Sequence, residues 1–186
     1  AIDNYTVLED AGVSTVADLD AIFDDIDILN GDPSALQTLT YSVVSNTNSD
    51  LATPSIDAGT GVLTVAYTSD DNGFSVIVVC ASDDNGSTNC ASFIVTVTAV
   101  NDPVTLTLAI DDYTVLEDAG VSTVADLDAI FSDIDILNGD PAALQTLTYS
   151  VFSNSNNLLA TPSIDAGTGV LTVAYISDQH GLATVT

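Results

Sequence analysis

The chain has no lysine and no arginine among its 186 residues, whereas 27 residues are aspartate or glutamate, so the formal net charge is −27. No carboxylate can be neutralised by a Lys or Arg salt bridge within the chain, and only solvent or metal cations can relieve the mutual repulsion. Nucleic acids and anionic membranes are excluded as direct partners, because both are bound through basic surfaces. Strong net charge is typical of disordered chains, but 46% of the residues are hydrophobic and alternate in a β pattern, which predicts a folded protein.

Other absences narrow the function further. No apolar run reaches the roughly 18 residues that a membrane helix needs, so we predict no membrane insertion. His180 is the one histidine, and a nucleophilic triad cannot be assembled without a positioned base. We therefore expect that the chain is not an enzyme.

Only two cysteines occur, Cys80 and Cys90, and they flank the turn-rich residues 82–87 symmetrically about Asn85. This spacing predicts a cross-strand disulfide that closes a hairpin loop, although two buried free thiols are the alternative. A disulfide, together with the absence of every trypsin site, favours an extracellular location, either at a cell surface or secreted.

The same sequence occurs twice, 108 residues apart. Residues 1–78 align without a gap with 109–186, with 15 mismatches in 78 pairs, so that 63 are identical (78 − 15 = 63). Such duplication is the signature of a tandem array, and the chain is interpreted as part of a longer one. We place the first repeat at 1–102 and the second at 103–186, the second lacking the equivalents of 79–102. A repeated unit also argues against a unique catalytic centre, including that of a glycosidase with a pair of carboxylates. His180 corresponds to Asn72 in the first copy, which indicates that it lies in a surface turn.

Period-two alternation of apolar residues predicts an all-β fold built from sandwiches. Strands are expected near 4–8, 13–17, 38–45, 53–57, 61–67, 73–81, 91–100 and 104–109, and the same set is expected 108 residues later. Residues 17–23 can form one helical turn, and no longer helix is predicted.

The strongest chemical signal is an acidic segment, residues 23–32, which recurs at 131–140. In extended backbone, Asp25 and Asp27 would point to the same side, and Asn30 and Asp32 follow. Such hard oxygen ligands suit Ca²⁺, which takes six to eight of them. A solvated acidic turn is the alternative interpretation. Asp24 is replaced by Ser132 in the second copy and is therefore not expected to be a ligand.

Six motifs in order resemble a cadherin repeat. They are Tyr5-Thr-Val-Leu-Glu9-Asp-Ala-Gly, Phe23-Asp-Asp25-Ile-Asp27, Leu39-Thr-Tyr41-Ser-Val, Ile56-Asp-Ala-Gly-Thr-Gly61, Cys80-Ala-Ser-Asp83 and Val100-Asn101-Asp102-Pro103. The chain as a whole is similar to the bacterial cadherin-like, VCBS-type repeats of large surface proteins. The resemblance implies tandem immunoglobulin-like Greek-key β-sandwiches joined end to end, with Ca²⁺ at each junction.

The resemblance also implies a ligand set. One complete junction would be formed by Glu9, Asn101, Asp102, Asp133 and Asp135. Ligands facing the preceding repeat would be Asp25, Asp27 and Asp83, Glu117 would face the following one, and Asp70 and its copy Asp178 would each supply one ligand. The chain departs from the family at the Leu-Asp-Arg-Glu motif, where it has Thr68-Ser69-Asp70-Asp71, and its linker has fewer acids. One or two ions per junction are therefore expected rather than three.

The resulting hypothesis is a calcium-stiffened rod within an extracellular adhesin or surface filament, whose partners are the neighbouring repeats. A Ca²⁺-dependent carbohydrate- or cell-binding module is the alternative; it is disfavoured by the absence of Trp and by the core-type positions of Tyr41, Tyr67, Tyr149 and Tyr175. A third possibility is that a strand from another copy completes the second repeat, giving a filament by strand addition.

Overall fold

A computed structural model describes residues 1–30, 38–138 and 145–186. The chain divides into two compact units, Ala1–Asn101 and Asp102–Thr186, which are called unit 1 and unit 2 below. No helix among the described residues has the length and apolar character needed to cross a membrane.

Unit 1 contains two β-sheets. Four strands form one sheet in the order β1-β7-β6-β3, and three form the other in the order β2-β5-β4. The strands are β1 Tyr5–Leu8, β2 Val13–Asp18, β3 Thr40–Asn46, β4 Ala52–Ile56, β5 Val62–Tyr67, β6 Gly73–Ser82 and β7 Thr88–Thr98. The first strand pairs in parallel with the last, and all other pairs are antiparallel. Consecutive strands change sheet between β1 and β4, which is the Greek-key connectivity of an immunoglobulin-like sandwich.

The core of unit 1 lies between the two sheets. Leu63 and Val65 of β5 pack in one hydrophobic cluster with Ile77 and Val79 of β6 and with Phe93 of β7. These side chains occupy alternate positions of their strands, as expected where one face of each sheet is buried. The all-β, immunoglobulin-like fold is therefore confirmed.

Short helical turns follow β2. A 3₁₀ turn covers Leu19–Ala21, where the side chain of Asp18 accepts a hydrogen bond from the Asp20 N–H; the helical turn predicted within 17–23 is confirmed. Helix α1, Ile26–Leu29, comes next, with Asp25 as its N-cap. The prediction that Asp25 and Asp27 both lie in extended backbone is wrong, because the Asp25 carboxylate accepts a hydrogen bond from the Asp27 N–H at 2.8 Å and thereby starts a helix.

The disulfide between Cys80 and Cys90 is present and confirms the prediction. The two residues are direct cross-strand partners in the β6–β7 hairpin. The hairpin loop is held by Asp83, whose carboxylate accepts hydrogen bonds from the N–H groups of Asn85 and Ser87. The disulfide and the hydrogen bonds to Asp83 therefore hold the same end of the hairpin.

The described residues of unit 2 form the three-stranded sheet but not the four-stranded one. Its strands are β8 Thr105–Leu106, β9 Val121–Asp126, β10 Phe131–Ser132, β11 Ala160–Ile164 and β12 Val170–Tyr175, and its helix α2 is Ile134–Asn138. The sheets are β11-β12-β9 and β10-β8, over a small core of Leu127, Ile130 and Leu171.

Three strands expected in the second copy do not form. The prediction is wrong for 112–116, 146–153 and 181–186, where the described residues contain only an isolated bridge between Asn154 and Val185. In unit 1 the corresponding strands pair with β6 and β7. The 186 residues hold no counterpart of β7 and only the beginning of one for β6. The described residues of these segments therefore form no longer ladder than the backbone hydrogen bonds that join residues 152–155 to Thr184 and Thr186.

Candidate metal centre

Two buried aspartates of unit 2 lie at the start of α2, Asp133 directly before the helix and Asp135 in its first turn. Asp133 and Asp135 are only 3% and 6% exposed. The Asp133 carboxylate accepts a hydrogen bond from the Asp135 N–H at 3.0 Å, which resembles an N-cap and orients the first turn of the helix. This contact ties the two aspartates to each other at the start of the helix.

The Asp135 carboxylate also joins the start of unit 2. Its Oδ2 accepts hydrogen bonds from the Asp102 N–H at 3.0 Å and from the Gln145 Nε2 at 3.2 Å. The pairing of β8 with β10 holds residues 102–106 beside this segment. The structure therefore brings Asp133, Asp135 and the backbone of Asp102 together within one unit.

Gln145 is a member of this cluster that the sequence reasoning missed. The available signal was its identity with Gln37 in the other copy, ten residues after the Asp-x-Asp pair. An amide side chain donates to a carboxylate without neutralising it. Gln145 therefore positions Asp135 but leaves its charge in place.

The donor set at this cluster suits a hard cation. Burying a carboxylate away from water costs several kcal/mol unless the charge is paired or coordinates a metal. The chain has no Lys or Arg to provide such a pair. Carboxylate oxygens without thiol or imidazole neighbours are the ligands that Ca²⁺ prefers, so the residues present fit this ion.

Glu9 occupies a comparable position at the end of unit 1. Its backbone N–H donates to the Thr98 carbonyl at 3.0 Å, which extends the β1–β7 ladder by one residue. Its side chain is 4% exposed and accepts a hydrogen bond from the Val100 N–H. Glu9 is thereby attached to the segment that leads to Asn101, whose side chain is exposed.

Asp70 lies beside Asp10, a residue that the sequence reasoning did not single out. The Asp70 N–H donates to the Asp10 carboxylate at 3.1 Å, and Asp178 repeats this contact with Asp118 at 3.0 Å. All four have positive φ, between 56° and 64°, a conformation that Asp tolerates better than most residues. The retention of Asp10 and Asp118 directly after the two glutamates was the signal for this pair.

The remaining predicted ligands are less closely grouped. Asp25 and Asp83 line one small cleft of unit 1 together with Asp24, whereas Asp27 is exposed and does not line it. Glu117 is exposed in unit 2. Within each unit taken alone, the described residues contain no group of three Asp, Glu, His or Cys whose ligand atoms all lie within 4.8 Å of one another. Asp32 and Asp140 lie outside the described residues.

The structural neighbours are cadherin extracellular domains. Mouse cadherin-23 EC22–24 aligns with 95% of this chain and 53% of its own, at 16% identity and a TM-score of 0.48. Protocadherin gamma B7 domains 1–4 align with 99% of this chain and 46% of their own, at 18% identity and a TM-score of 0.45. The human desmocollin-1 ectodomain aligns with 95% of this chain and 33% of its own, at 16% identity and a TM-score of 0.40.

The chain thus spans about half or less of the length of these structures. No known family and no curated protein matches the sequence. At these identities and TM-scores the similarity carries no argument about function, which has to be inferred from the residues of this chain.

Proposed function

We propose that the chain is a calcium-binding structural repeat of an extracellular bacterial adhesin or surface filament. The observation that carries the proposal is the buried pair Asp133 and Asp135, attached to the backbone of Asp102, in a chain that has no Lys or Arg. Two buried carboxylates without a Lys or Arg to pair with favour a divalent cation as their counter-charge. The bound ion would supply two positive charges to this carboxylate cluster.

The proposed ligand set of one junction is Glu9, Asn101, Asp102, Asp133 and Asp135. Two hydrogen bonds support this grouping. Glu9 is attached to the N–H of Val100, and Asp135 to the N–H of Asp102. These two backbone amides are only two residues apart in the chain. The short segment that contains them is therefore hydrogen-bonded to one carboxylate of each unit.

Repetition extends the proposal to the other predicted ligands. Asp25 and Asp27 would bind the ion of a preceding junction with Asp83, Glu117 would bind that of a following one, and Asp70 would add a ligand to its own. The support for Asp25, Asp27 and Glu117 is their identity with Asp133, Asp135 and Glu9. The mechanical role follows from the same ion: by tying the carboxylates of consecutive repeats together, it would stiffen the array into a rod. The disulfide supports the extracellular location.

Calorimetric titration of the metal-free chain with Ca²⁺ tests the proposal. The double variant Asp133→Asn, Asp135→Asn should lose the tightest binding step, because amides supply oxygen ligands without charge. Asp24→Ser is the matched control, since it removes one carboxylate from the segment equivalent to Asp133–Asp135 and installs the residue of the second copy. It should bind Ca²⁺ like the unmodified chain.

Small-angle scattering with and without a chelator tests the mechanical part. Ca²⁺ should narrow the distribution of maximum dimensions in the unmodified chain and leave that of the double variant unchanged. Ca²⁺ binding that survives in the double variant would contradict the proposed ligands, and scattering profiles that do not respond to Ca²⁺ would contradict the stiffening role.

The carbohydrate-binding alternative stays a prediction. Two of the tyrosines that could stack on sugars are engaged: Tyr41 and Tyr149 donate hydrogen bonds to Asp20 and Asp128. Tyr67 is buried in the core of unit 1. These contacts do not favour a sugar-binding face at the tyrosine positions.

A further inference from the structure

Two segments of unit 1 have the acceptor pattern for N-linked glycosylation, which is Asn-x-Ser/Thr with any residue except Pro at x. They are residues 4–6, Asn-Tyr-Thr, and residues 85–87, Asn-Gly-Ser. The pattern is used where the asparagine lies in a surface loop of a secreted protein. The sequence alone does not distinguish the two segments in this respect, but the structure does.

Residues 85–87 lie in the loop between β6 and β7, whose backbone is held by Asp83. The Asp83 carboxylate accepts hydrogen bonds from the N–H groups of Asn85 at 2.9 Å and Ser87 at 2.8 Å, and the Asp83 N–H donates to the Ser87 carbonyl at 3.1 Å. None of these bonds uses the side chain of Asn85 or Ser87. Both residues are exposed, and neither side chain makes a hydrogen bond to another described residue. The Asn85 amide is therefore available at the surface.

The middle residue of this segment leaves space beside the asparagine. Gly86 has a φ of +89°, and nothing lies within 4 Å of its Cβ position. The disulfide between Cys80 and Cys90 and the β6–β7 ladder hold the two ends of the loop. An enzyme would thus meet an open asparagine on a loop whose ends are fixed.

Asn4 is placed differently. Its Oδ1 accepts a hydrogen bond from the Ile94 N–H at 2.9 Å, which holds the side-chain amide against β7. The second copy has Asp112 at the equivalent position and therefore has no acceptor there. Of the two matching asparagines, only Asn85 has a side-chain amide that is free of contacts within the described structure.

We propose that Asn85 is a site of N-linked glycosylation. The co-reactant is an activated sugar, a glycosyl diphosphate, brought by a separate transferase. A bond forms between Asn85 Nδ2 and the anomeric carbon of the sugar, and the bond from that carbon to the phosphate oxygen breaks. The diphosphate leaves with the electron pair, and Nδ2 loses one proton. Nothing is oxidised or reduced.

This inference uses the extracellular location in the proposed function but not calcium binding. Asn85 is not among the residues that line the small cleft containing Asp24, Asp25 and Asp83. A missing glycan would therefore leave the calcium titration of the metal-free chain unaffected, so that the two proposals can fail separately.

Peptide mass spectrometry of the mature chain, isolated from the cells that produce it, tests the proposal. Trypsin cannot cleave a chain without Lys or Arg, but a protease that cleaves before Asp can. Residues 85–101 contain no Asp, so after reduction of the disulfide Asn85 is recovered in a peptide that ends at Asn101, whereas Asn4 is recovered in residues 3–9. We expect a sugar mass on the first peptide, located on Asn85 by fragmentation, and an unmodified second peptide.

Three variants made in the same cells complete the test. Ser87→Ala removes the hydroxyl that the pattern requires and keeps the backbone groups that bond to Asp83, so the sugar mass should be lost. Ser87→Thr should retain it. Thr6→Ala is the matched control, since it removes the other pattern and should leave the modification of Asn85 unchanged.

Three results would overturn the proposal. They are an Asn85 peptide without a sugar in the mature chain, a sugar on Asn4 in place of Asn85, and a sugar on Asn85 that persists in Ser87→Ala. Deamidation of Asn85 changes the amide to a carboxylate without adding a sugar, so its much smaller mass change is distinguished and counts as the first of these results.

Discussion

Asp20, in the 3₁₀ turn that follows β2, makes a side-chain hydrogen bond to a strand of the other sheet. The Tyr41 hydroxyl, on β3, donates to its carboxylate at 2.7 Å, and the copies Tyr149 and Asp128 repeat the contact at 2.8 Å. Burial and then this hydrogen bond raise the pKa of Tyr149 to about 12. Because the folded-state pKa lies above the ordinary value of about 10, the contact favours the folded state below about pH 10, and this contribution is lost as the pH rises towards 12.

The Asp20 carboxylate leaves no room for a side chain at Gly61, which precedes β5. A Cβ atom on Gly61 would lie 2.7 Å from Asp20 Oδ1, and φ is +63°. Gly61→Ala should therefore lower the free energy of unfolding by about 1–3 kcal/mol, from the left-handed backbone and from displacement of the carboxylate. Urea denaturation followed by tyrosine fluorescence measures the change.

Gly12→Ala separates the two costs of that substitution. Gly12 also has a positive φ, +69°, but nothing lies within 4 Å of its Cβ position. The Gly12→Ala variant should therefore lose only the backbone contribution to the free energy of unfolding, about 1 kcal/mol. Equal losses in the two variants would show that Asp20 is not held in place as described.

The alternation of apolar residues predicted the strands of unit 1 well and those of unit 2 poorly. The strands of unit 1 are within a few residues of their expected bounds, since each buries one face in a closed sandwich. Residues 112–116 are nearly the same sequence as β1 and yet form no strand in the described structure. A β-strand forms through hydrogen bonds to a neighbouring strand, and the local sequence cannot indicate whether that neighbour is present.

The acidic segment shows a second limit of pattern reasoning. Asp25-Ile-Asp27-Ile alternates like a strand, but Asp25 caps α1 instead. Asp is both a common N-cap and a weak strand former, and an alternation of only four residues does not distinguish the two. The choice of Asp133 and Asp135 as ligands stays a prediction, and the structure adds one contact between them, from the Asp135 N–H to the Asp133 carboxylate. The burial of this pair was not predictable, since it depends on long-range packing around residues 102–106.

The Cys80–Cys90 disulfide should contribute substantially to the stability of the β6–β7 hairpin. It closes a loop with a sequence separation of ten residues, for which the entropy of the unfolded chain gives about 3 kcal/mol. The double variant Cys80→Ala, Cys90→Ala should lose an amount of this order in urea denaturation. A reductant should destabilise the unmodified chain and leave the double variant unchanged; equal effects on both would show that the reductant acts elsewhere.

The distribution of charge over the whole molecule is strongly segregated. Among the described residues, Asp18 and Asp126 are the two acidic residues that lie within strands, and each ends its strand. The other described carboxylates lie outside the strands, so the remaining strand positions carry no charge. This placement removes carboxylates from the surfaces of the sheets and concentrates repulsion in the connecting segments, where a cation would relieve it most.

The response of thermal stability to salts should therefore have two parts. NaCl should raise the melting temperature gradually by screening the connecting segments. CaCl₂ at the same ionic strength should raise it further, since an ion that binds only the folded state stabilises it by mass action. MgCl₂ should resemble NaCl more than CaCl₂, because Mg²⁺ gives up its waters reluctantly and demands nearly ideal octahedral geometry. Scanning calorimetry at matched ionic strength distinguishes these cases. If all three salts give the same curve, screening accounts for the whole effect and the carboxylates around Asp135 have no selective site; a Ca²⁺ increment that disappears in Asp133→Asn, Asp135→Asn assigns it to that cluster.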